Sequence, residues 1–376
     1  MLISRIISGH IINDLKKSKK VILIYGPRQS GKTTLAKGVV EKSGLKTLYI
    51  NGDQLKYVDI LSSRDLTKLK GLVSGYELLF IDEGQRIPEI GIALKILHDE
   101  IPELKILVTG SSSFLLSGRV SESLAGRKKT YSLFPVSVKE LSSTSNRFEL
   151  NDMLEEWLVF GFYPEVLNIA GHKDKEDYLL DIASSYIYKD IIELEQIKFP
   201  LKINDLLRLL AFQIGSQVSI HELGRQLGLN RETVERYLYL LEQAFIIFRV
   251  PAFSKNPRKE IRKSQKYYFY DLGIRNTLIN NLNPLNVRND VGALWENFLF
   301  IERMKKLSYE RVGYSRFFWR AYSGAEIDYV EEREGAISAF EFKFKASKVR
   351  TPALWRDRYK ADVEVVNRDN FFDFVL

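Results

Sequence analysis

The strongest constraint on this chain is one stretch near its amino end. An apolar run, Val21-Ile-Leu-Ile-Tyr25, passes into Gly26-Pro27-Arg28-Gln29-Ser30-Gly31-Lys32-Thr33-Thr34 and then into a helical pattern from Leu35 to Glu41. This spells G-x-x-x-x-G-K-[ST] between a buried strand and a helix, the context in which such a loop cradles phosphates. Its glycines let the backbone curl so that successive N–H groups converge on phosphate oxygens. Lys32 is placed to reach the β- and γ-phosphates and Thr33 to hold Mg2+, while the helix start favours negative charge. A glycine-bearing strand–helix turn could fit the pattern by chance, but the flanking strand and helix weigh against it. The loop predicts a bound nucleoside triphosphate, ATP with Mg2+, contacted along Gly26–Thr34.

The rest of the chain must house what that nucleotide drives. At 376 residues it exceeds the usual single domain, so two or three are expected. An apolar fraction of 45% supports real cores and argues against disorder. The absence of cysteine excludes disulfides and thiolate zinc sites and fits a reducing cytosol, and four scattered histidines weigh against a histidine zinc site. A net charge of +8 suits a polyanionic partner. Met1-Leu-Ile-Ser-Arg5 lacks the apolar core of a signal peptide, and no stretch of about 20 apolar residues reads as a membrane span. A cytoplasmic protein with no membrane partner is expected.

Up to about residue 150, four apolar runs alternate with helical or polar segments: Val21–Tyr25, Thr47–Ile50, Leu78–Ile81 and Lys105–Val108. Such alternation predicts a parallel sheet with both faces covered. The third run ends in Asp82-Glu83. Beside a phosphate loop, Asp82 is expected in the magnesium shell and Glu83 as the group that polarises the attacking water. An acid pair after a strand can also be a simple polar exit. The fourth run enters Thr109-Gly110-Ser111-Ser112-Ser113, where Thr109 or Ser111 is placed to sense a γ-phosphate, or to make an ordinary turn. Arg119 and Arg127 sit in loop-like contexts; Arg127 is the better candidate for a finger reaching a phosphate in its own or a neighbouring copy. A second copy of the chain is therefore a candidate partner.

Gly26–Thr34, Leu78–Glu83, Val108-Thr-Gly-Ser-Ser112, Ala125-Gly-Arg127 and Leu133-Phe-Pro135 together resemble a family of prokaryotic AAA-type ATPases joined to a carboxyl-terminal domain of unknown function. Gly161-Phe-Tyr-Pro-Glu-Val166 and Tyr186-Ile-Tyr-Lys-Asp-Ile191 are similar to motifs that follow in the same family. The resemblance implies a sheet whose sensing strand lies between the phosphate-loop strand and the Asp82-Glu83 strand.

Trp157 to Ile197 reads as helical, and its aromatics as packing rather than a base-stacking platform. In an AAA-type arrangement it would be a lid. Leu206–Ile214 reads as a short helix. Then His221–Leu227 and Arg231–Gln243, joined by Gly228-Leu-Asn230 with Asn230 as N-cap, have helix-turn-helix spacing, and Phe245–Val250 would begin a wing. The second helix exposes mixed charges, Arg231, Glu232, Glu235 and Arg236. The run from Lys255 to Lys266 is densely basic and suits phosphates without reading sequence, or a solvated loop.

Near the carboxyl end, Gly292–Glu302 reads as a helix carrying Glu296. Phe317–Val330 reads as a hairpin carrying Asp328, and Ala339–Phe344 as a strand with Glu341 and Lys343 on one face. An acid followed by E-x-K resembles the PD-(D/E)xK nuclease core. Asp328 and Glu341 would hold a divalent metal, Lys343 would position the water, and Glu296 would add to the shell. A solvent-facing cross-strand pair would also produce E-x-K. Lys348, Arg350, Arg356, Arg358 and Lys360 offer a face for a phosphate backbone.

The expected fold is a multidomain α/β protein: an ATPase core over 1–150, a helical lid over 151–200, a winged helix over 201–285 and a restriction-endonuclease-like domain over 286–376. The expected activity is Mg2+-dependent ATP hydrolysis coupled to DNA, with ATP and ADP as ligands. The alternative is a nucleotide-controlled switch whose winged helix and inactive nuclease fold dock a protein.

Overall fold

The computed structural model describes residues 3–111, 122–187, 199–254 and 265–376. Ser112, Ser113, Arg119, the segment Tyr188–Ile197 and the basic run from Lys255 to Ser264 lie outside them. The described residues form two compact units, 3–135 with 243–245, and 136–187 with 199–242, 246–254 and 265–376.

The first unit is built on a parallel sheet of β1 (Val21–Tyr25), β2 (Thr47–Asn51), β3 (Leu78–Asp82), β4 (Lys105–Gly110) and β5 (Lys128–Ser132), in the order β2-β3-β4-β1-β5. β1 and β3 are almost wholly buried, as apolar runs covered on both faces should be. Val21, Leu23, Ile50, Leu79, Ile81 and Val108 share one core with the helix Ile90–Glu100. β4 lies between β1 and β3, so the ends of all three meet at the carboxyl edge of the sheet. β5 is an addition to the four expected strands. Its sequence, Lys128-Lys-Thr-Tyr-Ser132, is polar because it forms an edge. Asp14, from the helix Ile7–Lys17, accepts from Lys129 at 2.8 Å and from Tyr131 at 2.5 Å.

The second unit joins segments expected to be separate. The helix Leu154–Phe160 stops at Gly161, whose φ of +75° a side chain would strain, and the next helix begins only at His172. The continuous helix expected from Trp157 is therefore broken. Gly161 is required because a Cβ there would collide with the Asp271 carboxylate. That carboxylate accepts from the Phe162 amide at 2.7 Å and caps the helix Leu272–Leu278. The Gly161-Phe-Tyr-Pro motif thus seats this segment on the rest of the unit.

After the helix Pro200–Phe212 come β6 (Gln217–Val218), the helices Ile220–Leu227 and Arg231–Gln243, β7 (Ile247–Val250) and β8 (Gln265–Phe269), in a sheet of order β6-β8-β7. Gly228, at φ +66°, ends the first helix of the pair, and the Asn230 side chain accepts from the Thr233 amide at 2.8 Å to start the second. The last sheet holds β9 (Ser315–Arg320), β10 (Glu326–Arg333), β11 (Ala336–Phe342) and β12 (Val363–Val366), in the order β12-β11-β10-β9. It is antiparallel except for the β11–β12 pair.

The two smaller sheets share a core through the helix Val291–Tyr309. Phe300 stacks on Tyr268 of β8 with ring centres 4.4 Å apart and meets Tyr329 of β10 at 4.8 Å. The same helix anchors the segment that opens the unit, for Glu302 accepts from the Val138 amide at 2.7 Å and Lys305 donates to the Val136 carbonyl at 2.7 Å. These shared contacts run across the expected divisions at 150, 200 and 285, so that the segments on either side pack within one compact unit beginning at Val136.

Candidate functional site

At the carboxyl edge of the first sheet, β1 runs into the phosphate loop. Gly26 has φ +153° and packs so tightly that a Cβ would strike the Leu133 carbonyl. Gln29 (φ +57°) and Gly31 (φ +93°) complete the curl, and Lys32 opens the helix Lys32–Ser43. Ser30 is buried, its hydroxyl donating to the Pro27 carbonyl at 2.8 Å. Lys32 folds back along the loop and donates to the carbonyls of Gly26 at 3.0 Å and Pro27 at 2.7 Å. Pro27, Arg28 and Thr34 lie in the same turn and first helical residues.

The Thr33 hydroxyl donates to Asp82 at the end of β3, 2.9 Å from Oδ1. Thr109 at the end of β4 donates to the same carboxylate oxygen and accepts from the Glu83 amide at 3.3 Å. Its hydroxyl therefore joins Asp82 to Glu83 instead of probing the loop. Glu83 itself sits in the left-handed region (φ +55°), a conformation that costs a non-glycine residue free energy and so singles it out. Gln85 donates its amide to Glu83 Oε2 and accepts from the Ser111 amide at 3.1 Å. A hydroxyl and a carboxylate, all-oxygen donors beside a loop of amides and an ammonium, fit a magnesium nucleotide. Thr33 and Asp82 would hold the ion and Gly26–Thr34 the phosphates.

Arg127 is not in this group. Its carbonyl accepts from the Val21 amide at the opposite end of β1, about five residues or 16 Å from the loop, and its guanidinium pairs with Asp99 at 2.7 Å. A finger on its own nucleotide is ruled out by that placement. Sequence reasoning missed Gln85, signalled only by its place two residues after the acid pair. It also missed Arg5, a buried guanidinium donating to the carbonyls of Ser30 at 2.7 Å and Phe134 at 2.5 Å, which braces the loop from behind.

The second candidate site lies where β8, the helix Val291–Tyr309, β10 and β11 converge. The Asn297 side chain clamps both backbone groups of Phe269, at 2.7 and 2.8 Å, and so lays β8 beside Glu296. The β9–β10 register shifts between Ile327 and Val330, a bulge that re-aims Asp328. Tyr329 pairs with Phe340, so extending that register by one residue sets Asp328 opposite Glu341. Asp328 accepts from the Phe342 amide at 2.8 Å, and Lys343 pairs with Glu341 at 2.7 Å. All four sequence-predicted residues, Glu296, Asp328, Glu341 and Lys343, thus belong to one electrostatic neighbourhood.

Two further groups occupy it. Lys266 of β8, with a side chain 2% exposed, sits between Glu296 at 3.0 Å and Glu326 at 2.5 Å, and the Tyr268 hydroxyl also donates to Glu296. Glu296 is therefore engaged by an ammonium and a phenol. Burial pushes its carboxyl up to about 7, Lys266 opposing and Asp328 adding to the rise. Burial likewise raises Asp328 and Glu341. Burial alone would lower Lys266, but the charges of Glu296, Glu326 and Asp328 lift it instead. Alternation along Lys266-Tyr-Tyr268 was the available signal for these residues. Among the described residues no three acids or histidines form a metal cage. Asp328 and Glu341 meet the looser demand of Mg2+, which takes one or two carboxylates alongside substrate phosphates.

The comparisons match three successive stretches of the chain. Residues 18–142 match the family described as AAA domain, residues 151–285 a domain of unknown function (DUF8612), and residues 291–366 another (DUF4143). The uncharacterized proteins Rv2008c of Mycobacterium tuberculosis and Mb2031c of Mycobacterium bovis are each 30% identical over 350 residues, covering 92% of this chain and 74% of theirs. The chain belongs to the Rv2008c family. MJ1544 of Methanocaldococcus jannaschii, 28% identical over 306 residues, covers 76% of the chain and is itself covered over 67%. Among solved structures, the Walker-type ATPase PABY2304 of Pyrococcus abyssi matches 74% of this Rv2008c-family chain and 96% of its own at 14% identity and a TM-score of 0.50. That likeness is one of fold. The first unit is an AAA-type P-loop domain, and no described helix is long and apolar enough to cross a membrane.

Proposed function

We propose that the chain hydrolyses ATP with Mg2+ in its first unit and couples that cycle to binding or processing DNA in its second. The observation that carries the DNA half is the convergence of Asp328, Glu341 and Lys343 beside the half-buried Glu296. Two carboxylates and an ammonium suit phosphodiester hydrolysis, in which charge develops on phosphate oxygens. A divalent ion held by Asp328 and Glu341 would supply Lewis acidity. Lys343, whose side chain is partly exposed, positions the water. The order of helices and strands from Pro200 to Phe269 supports a winged helix, whose second helix would meet DNA while the basic run after β7 contacts phosphates. In the first unit, Lys32 and the loop amides hold the phosphates, Glu83 polarises the attacking water and Ser111 senses the γ-phosphate.

Two observations favour a second reading, a switch that docks a protein through an inactive nuclease fold. Lys266 already neutralises part of the acidic cluster, and on the exposed face of the helix Arg231–Gln243, Arg231 is tied to Glu235 at 2.8 Å. Incubating single-stranded, duplex and branched DNA with the protein and Mn2+ or Mg2+ separates the two. Cleavage by wild type that disappears in Lys343→Ala supports processing. Intact DNA in every lane, with binding insensitive to salt, supports the switch.

A further inference from the structure

We infer that Gln85 is a positioning residue for ATP hydrolysis, holding the Glu83 carboxylate in register with the end of β4. The inference rests on the hydrolytic reading of the first unit. Glu83 follows the last residue of β3 and begins the short 3-10 turn Gly84–Arg86 in a left-handed conformation. Its backbone direction is thus set by strain, and its side chain would be free to swing about its own torsions. Two bridges fix the residue, one at its backbone amide and one at its carboxylate. The Thr109 hydroxyl joins the Glu83 amide to Asp82, and the Gln85 side chain joins the Glu83 carboxylate to the Ser111 amide.

Glutamine suits the second bridge because one amide group must donate to a carboxylate and accept from a main-chain N–H at once. Glutamate could accept from Ser111 but could not donate to an ionised Glu83, and alanine could do neither. Through Gln85, the group that would polarise water is referenced to the residue where β4 leaves the sheet beside the loop. A base displaced by about 1 Å can cost about a hundredfold in rate, so this bridge bears on turnover more than on binding.

A steady-state ATPase series with wild type, Gln85→Ala, Gln85→Glu, Glu83→Gln and the double variant Glu83→Gln/Gln85→Ala tests this, with ATP binding measured by calorimetry on each. Gln85→Ala is expected to lower kcat about tenfold to a hundredfold with KM and ATP affinity unchanged. Gln85→Glu, which keeps the Ser111 arm, should fall as far. Adding Gln85→Ala to Glu83→Gln should cost nothing more, because the residue acts through Glu83. Equal turnover in wild type and Gln85→Ala, or a full additional loss in the double variant, would overturn the inference while leaving ATP hydrolysis intact. A wild type that binds ATP without turning it over would instead remove the hydrolytic reading, and the role of Gln85 with it.

Discussion

In the nucleotide site, the side chains that face the loop come from three adjacent strand ends of one parallel sheet, and each acid is met by hydroxyls and amides. The acidic cluster draws on β8, a helix, β10 and β11; a main-chain amide meets Asp328, while Glu296, Glu326 and Glu341 are held by two ammoniums and a phenol. The first arrangement is nearly charge-tolerant, because neutral donors satisfy Asp82. The second depends on opposite charges taken out of water together, so removing either partner leaves the other stranded. Two sites with similar donors therefore differ in what holds them.

The largest expected consequence concerns Lys266. Lys266→Met leaves Glu296 and Glu326 without their buried cation and is expected to destabilise the second unit by about 3–5 kcal/mol at pH 8. Lys32→Met removes bonds to two carbonyls of its own loop and strands no buried carboxylate, so it should cost less than Lys266→Met. Urea unfolding of both variants measures this, and equal costs would erase the contrast.

A smaller effect comes from Glu296. Its carboxyl is raised from an ordinary value of 4.5 to about 7, so the folded state binds more protons than the unfolded state between those values. Stability should then fall as pH rises through that window, by up to about 1.4 kcal/mol per unit. Glu296→Gln should flatten the slope, and thermal melts at pH 5, 6, 7 and 8 would show whether it does. The smallest effect is expected at Arg127, which lies at the far end of β1. Arg127→Ala should leave ATP turnover of dilute protein within about twofold of wild type. A large drop confined to concentrated protein would restore a finger acting between copies.

The ends of the helices Ile220–Leu227 and Arg231–Gln243 were legible, because Gly228 and Asn230 mark them by local conformation and capping. β1 to β4 were legible as apolar runs. β5 was not, because Lys128-Lys-Thr-Tyr-Ser132 buries only Tyr131 and so carries no apolar run. The break at Gly161 was hidden because it is imposed by Asp271, 110 residues further on, and not by its neighbours. The phosphate loop was readable because its parts are contiguous. The alternation of Lys266 and Tyr268 puts them on one face of β8, but that this face meets Glu296 depends on the clamp of Asn297 on Phe269, a tertiary contact.

The most direct test of the coupling is Mg2+-dependent ATP turnover measured with and without duplex and branched DNA, in wild type and Lys32→Ala. The account predicts slow turnover by wild type, a higher rate with DNA and none in Lys32→Ala. A wild-type rate that no DNA form changes, or turnover that persists in Lys32→Ala, would contradict it.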